Sequence, residues 1–185
     1  MFSGTSLKTP PSMPATWYGE WGCASMFRNC RQLTSAPKLS TVQDNLQDRK
    51  FNQMFDGCSS LVDVPDLSAA GGDYAFVSMF NNCKSLVNAP EISSTSGGHV
   101  CESMFAGCTS LTTPPSTLPA EHPSWYAYRY MFQNCTSLSA SPELPSFDTG
   151  ATEMYRGMFK NCKSLTKSPL LHYDGRTMYF GDGLY

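Results

Sequence analysis

Charge is scarce in this 185-residue chain. Only 15% of its residues are Asp, Glu, Lys or Arg, against about 25% in an average globular protein. The 13 basic and 15 acidic side chains leave a net charge of −2, which excludes the basic stripe of a nucleic-acid binder. No apolar run approaches the ~18 residues of a membrane span. Residues 1–15 lack the basic start and apolar stretch of a secretory signal, so neither membrane insertion nor export directed by these residues is expected. Paired carboxylates, phosphate loops and nucleophile elbows are missing, and no Cys-x-x-Cys pair offers a metal site. What the chain has is 41% apolar residues, including 11 Phe, 9 Tyr, 3 Trp and 10 Met. That supply rules out disorder, and Ser, Thr and Asn are left to furnish most of the wet surface.

The sequence repeats. Met-Phe occurs at Met1, Met26, Met54, Met79, Met104, Met131 and Met158, in steps of 25 to 28 residues, a period typical of repeat architectures. Counting from each Met, Cys30, Cys58, Cys83, Cys108, Cys135 and Cys162 stand at plus four. Leu33, Leu61, Leu86, Leu111, Leu138 and Leu165 follow at plus seven, and Pro37, Pro65, Pro90, Pro115, Pro142 and Pro169 at plus eleven. Leu39, Leu67, Ile92, Leu144 and Leu171 fall at plus thirteen, with Leu118 one place late. The first copy reads as though its Cys were deleted.

An apolar slot three residues before the Met holds Cys23, Phe51, Phe76, Cys101, Tyr128 and Tyr155. With the Met and the Phe this makes an i, i+3, i+4 pattern, which predicts a short helix. Plus three is always Gly or Asn, which predicts a left-handed cap ending that helix. Phe27, Phe55, Phe80, Phe105, Phe132 and Phe159 should then line one shared core. The Cys-x-Ser-Leu stretch up to Pro suits short parallel strands of three or four residues. They stop near the Pro, which has no N–H to donate.

Segments such as Met54–Leu67 and Met79–Ile92, with their Met-Phe-x-[Asn/Gly]-Cys-x-Ser-Leu-x-x-x-Pro-x-Leu pattern, resemble the BspA-like leucine-rich repeats. The resemblance runs from Met1 to about Leu171. It implies an α/β solenoid, a right-handed coil of seven or so rungs with parallel strands on one side and helices on the other. It also implies a non-enzymatic binding role without cofactor, of the kind found in bacterial surface and adhesion proteins, with phage particles as the other setting. The expected division is a repeat domain over 1–171 and a divergent cap or partial rung over 172–185.

Six cysteines occupy one position per rung. Stacked strands put their Cα atoms about 4.8 Å apart, but parallel side-chain vectors hold the Cβ atoms beyond the ~3.8 Å mean of a disulfide. A ladder of free, buried thiols fits better than bridges, and Cys23 and Cys101 join the core. The histidines, His99, His122 and His172, share no face. His99, Cys101 and Glu102 could be read as a thiol–imidazole–carboxylate group, but a surface His beside Gly97-Gly98 fits better, because such partners meet through the fold rather than along the chain.

Aromatics are in surplus. Trp17, Tyr18, Trp21, Tyr74, Trp125, Tyr126, Tyr130 and Phe147 lie in the segment that absorbs the length variation between copies. Insertions on one edge commonly mark the binding face of a repeat protein; the competing reading is that these rings fold back and complete the core. A second candidate face is formed by Val62, Asp63, Val87, Asn88, Thr112, Thr113, Thr166 and Lys167 of the strands. The expected partners are a protein or glycan ligand, or neighbouring subunits at the open N-terminal rung; nucleic acid and membrane insertion are not expected.

Overall fold

The computed structural model describes residues 1–13, 22–39, 48–64, 67, 72–92, 97–119, 125–144, 153–167, 170–173 and 176–179. Among them no helix forms. The segment around each Met-Phe is instead a run of overlapping β-turns. In the third copy the N–H groups of Met54, Asp56 and Cys58 donate to the carbonyls of Phe51, Gln53 and Phe55, three residues back, at 3.0–3.2 Å. The first and last of these turns have positive φ at their third residue, Gln53 at 54° and Gly57 at 76°, which marks type II turns.

The intervening N–H groups leave the copy altogether. Those of Phe51, Gln53, Phe55 and Gly57 donate to the carbonyls of Ala75, Val77, Met79 and Asn81 in the next copy, at 2.8–3.0 Å. The same alternation recurs from copy to copy. An α-helix would satisfy its N–H groups within itself. Here a left-handed residue every fourth position breaks the helical run, and the neighbouring copy supplies the missing acceptors. The positive φ expected at plus three is present in every copy, from Gly4 to Asn161, but it closes one turn in a series rather than capping a helix.

These bonds set the copies in register, and the side chains form columns. The Phe rings at plus one, from Phe2 to Phe159, stack at centroid distances of 5.5–5.6 Å and interplanar angles of 4–11°. Met, Cys and Leu at zero, plus four and plus seven surround them and are buried from the second copy on, Leu165 only in part. Each buried Phe contributes about 1.5–3 kcal/mol through apolar area removed from water. In the slot at minus three, Phe51 stacks on Phe76 at 5.7 Å and Tyr128 on Tyr155 at 5.6 Å.

All eight cysteines are free and buried. Those at plus four share one contact. Each thiol donates to the Phe carbonyl of the preceding copy, from Cys30 to Phe2 at 2.9 Å through to Cys162 to Phe132 at 3.0 Å. From Phe2 to Phe132 that carbonyl also accepts an N–H from the residue at plus four of its own copy, so both of its lone pairs are used. In the first copy Thr5 takes the Cys place: its N–H donates to Phe2 and its hydroxyl lies 3.4 Å from Cys30 Sγ. The missing residue therefore falls between Thr5 and Leu7, not at the Cys.

Beyond the Leu, the expected parallel strands shrink to isolated parallel bridges on either side of the Pro: Ser35 with Asp63, Asn88 with Thr113, Leu67 with Ile92 and Thr117 with Glu143. Pro has no N–H with which to carry a ladder through. The strands among the described residues are β1 (Leu170–Tyr173) and β2 (Arg176–Tyr179), paired antiparallel with Leu170 opposite Tyr179 and Tyr173 opposite Arg176. Starting at Leu170, this hairpin straddles the expected boundary at 171.

Candidate functional site

The recurring Met, Phe and Cys face inward from the second copy on, and several positions that differ between copies lie outside. Five residues before the Met, Tyr74, His99 and Tyr126 each adopt positive φ and form a half-exposed column. His99 stacks on Tyr74 at 4.6 Å and tilts 34° against Tyr126 at 4.8 Å. Arg49 covers the Tyr74 ring at 4.8 Å and Arg129 the Tyr126 ring at 4.3 Å, so cations flank the column and meet the π faces. Trp125, beside it, is 72% exposed.

Glu102 ties the column to the next copy. One oxygen meets His99 Nδ1, and the other accepts from Arg129 Nη2 and, at 2.9 Å, from Nε. Cys101 belongs to the core instead, and burial pushes its thiol well up. Cys58 and Cys108 shift likewise, up to about 12, and Cys23 and Cys162 to about 11, with burial the leading cause. A protonated buried thiol is a poor nucleophile.

Of the expected aromatic edge, then, Tyr74 and Tyr126 come together with His99 and adjoin Trp125. Tyr130 sits elsewhere, at minus one, with its ring over Gly157 where a Cβ would stand. Trp17, Tyr18, Trp21, Phe147 and His122 lie outside the described residues. On the strand face Val62 and Val87 are 50% and 41% exposed.

A second surface follows plus two, plus three and plus five. Asp56, at plus two, accepts from Arg28 Nε at 3.0 Å and from Asn81 Nδ2 at 3.1 Å, its partners in the copies before and after. Around this cluster opens a polar groove of about 570 Å³ spanning the second to fourth copies. The cross-copy ion pairs Arg28–Asp56 and Glu102–Arg129 each join residues at one repeat position in adjacent copies. Opposite charges at equal offsets were the sequence signal for them.

Among the described residues no three of His, Cys, Asp or Glu gather as metal ligands, and no helix is long and apolar enough to cross a membrane. Residues 75–177 match a family described as "Mycoplasma protein of unknown function, DUF285". Neither the curated proteins nor the solved structures include a match.

Proposed function

We infer, from the premise that this chain belongs to the DUF285 family of Mycoplasma proteins of unknown function, that it is a non-enzymatic repeat scaffold for binding protein or glycan. Its setting in this reading is the bacterial cell surface or the secreted fraction, as with the BspA-like repeats that its motif resembles. Right-handed solenoid coiling of the leucine-rich-repeat type, seven or so layers long, goes with that reading. One observation carries it: positions at plus one, plus four and plus seven are spent on copy-to-copy contact. The residues that change between copies, such as Tyr74, His99 and Tyr126, line an outer edge next to exposed Trp125. Rigid, half-polar rings of this kind suit partner contact.

The test is binding of the chain to panels of matrix proteins and glycans, with Trp125→Ala beside the wild type. Binding that drops with Trp125→Ala supports the reading. A panel without a ligand, or a catalytic turnover that follows one of these side chains, overturns it.

The second reading, a structural part of a virion or other multi-subunit assembly, draws on the outer face of the first copy. Among the described residues no donor reaches the Met1 or Ser3 carbonyl, whose equivalents Met26 and Arg28 accept from Phe2 and Gly4. Gly4 has open space where its Cβ would stand, whereas Asn29 and Asn82 fill that space over Gly57 and Gly107. A repeat layer with Asn at plus three fits that face, and on this reading a neighbouring subunit supplies it. On this reading the chain associates through that face and Gly4→Tyr abolishes association; unchanged association in Gly4→Tyr excludes it.

A further inference from the structure

Resting on the binding-scaffold reading, we propose that the groove between Arg31 and Lys84 holds a linear acidic polysaccharide, one with carboxylate or sulfate groups along a hydroxyl-rich chain. This surface is separate from the aromatic edge, and its charge runs against the molecule as a whole. In a chain of net −2, the groove gathers Arg28, Arg31 and Lys84 against the single carboxylate of Asp56.

The carboxylate is already occupied, since Arg28 and Asn81 each hold one of its oxygens. It therefore neutralises Arg28 and leaves the other two cations to a ligand. Arg31 and Lys84 are exposed, and among the described residues neither forms an ion pair. They stand at plus five, two layers apart, with the smaller Ser59 at that position in the layer between. Two cations spaced by the repeat fit a polymer whose own charges recur.

The rest of the lining selects among acidic polymers. The exposed Asn29 and Asn82 carboxamides both donate and accept, and the Ser59 hydroxyl does the same, a set matched to sugar hydroxyls. No aromatic ring lines the groove, so it lacks the stacking platform that single-stranded nucleic acid requires. It also lacks the apolar pocket that would anchor an acidic peptide.

The experiment measures binding of the full chain to heparin, hyaluronan and neutral dextran on a biosensor, at low and at raised salt. The variants are Arg31→Gln, Lys84→Gln, their double, and Lys8→Gln as an exposed control outside the groove lining. Wild type should bind an acidic glycan, ignore dextran, and weaken as salt screens the charges. Each single groove variant should lose about three- to fivefold in affinity and the double about tenfold or more, with the control within about twofold. Equal loss in Lys8→Gln would mean diffuse attraction and overturn the groove; so would full binding by the double variant, or no binding to either acidic glycan. If acidic glycans fail while another ligand still binds through Trp125, the groove falls and the scaffold stands.

Discussion

The side-chain oxygen of Asn82 stands 2.5 Å from where a Cβ on Gly107 would be. Asn29 bears on Gly57 in the same way. Plus three therefore alternates between a residue that reaches and one that makes room, until Asn134 and Asn161 meet and the amide of Asn161 donates to Asn134 Oδ1 at 2.8 Å. Gly107→Ala should lose about 1–2 kcal/mol, because the new methyl meets Asn82 and the residue keeps a φ of +75°. Denaturant melts of Gly107→Ala with and without Asn82→Gly separate the two causes: the second change restores the steric part and leaves the backbone part.

Phe80 lies between Phe55 and Phe105 in the central column, 5.6 Å from each. Phe80→Ala should cost about 3–5 kcal/mol from lost transfer energy and the cavity left behind. Urea unfolding followed by circular dichroism reads this directly.

The thiols give the fold a pH dependence on the alkaline side. Burial holds Cys23 and Cys162 near 11 and Cys58 and Cys108 near 12, against an ordinary value of 9.0. Above pH 9 the unfolded chain releases protons that the folded chain keeps. Their contribution is thus complete below about pH 9 and falls away as pH climbs through 11 toward 12, by about 1.4 kcal/mol per pH unit for each thiol so titrating. Stability measured from pH 8 to 11 should bend downward past 9, and Cys108→Ala should reduce the slope.

Burial also predicts inertness. Cys83 and Cys108 should resist a maleimide in native buffer and react after denaturation. Rapid native labelling of either would contradict their placement.

Glu102 bridges His99 and Arg129 in a partly buried setting. Glu102→Gln should cost about 1–2 kcal/mol through weakened charge-assisted bonds, and Arg129 nuclear magnetic resonance signals should broaden as the guanidinium loses its anchor.

The register of the copies was legible because Met, Phe, Cys, Leu and Pro recur at fixed offsets. The shape of each copy was not. Apolar residues at minus three, zero, plus one and plus four suit a helix of 3.6 residues per turn and equally a run of turns repeating every four. The residue that tells them apart is minus one, where Ser25, Gln53, Ser78, Ser103 and Tyr130 adopt positive φ without being Gly or Asn. Side-chain identity carries no warning of it, because the conformation is held by bonds to the next copy. The candidate site was partly legible. Tyr74 and Tyr126 stood out as surplus aromatics, but His99 joins them only because all three occupy minus five. Asp56 drew no notice until adjacent copies placed Arg28 and Asn81 beside it.

In the turn segments around each Met-Phe, the backbone bonds between copies run one way. From Gly4 to Arg28, from Asn29 to Asp56, and on through Gly57, Asn82, Gly107 and Asn134, the donor lies in the earlier copy and the acceptor in the later one, at 2.7–2.8 Å. Arg28 and Asn29 share one peptide unit, as do Asp56 and Gly57, so these units line up head to tail along the stacking axis and their dipoles add. An α-helix has its positive pole at the N-terminus; here the polarity is reversed. The negative pole of the stacked turns points toward the earlier copies and the positive pole toward the later ones, so the two faces of a layer attract ions of opposite sign.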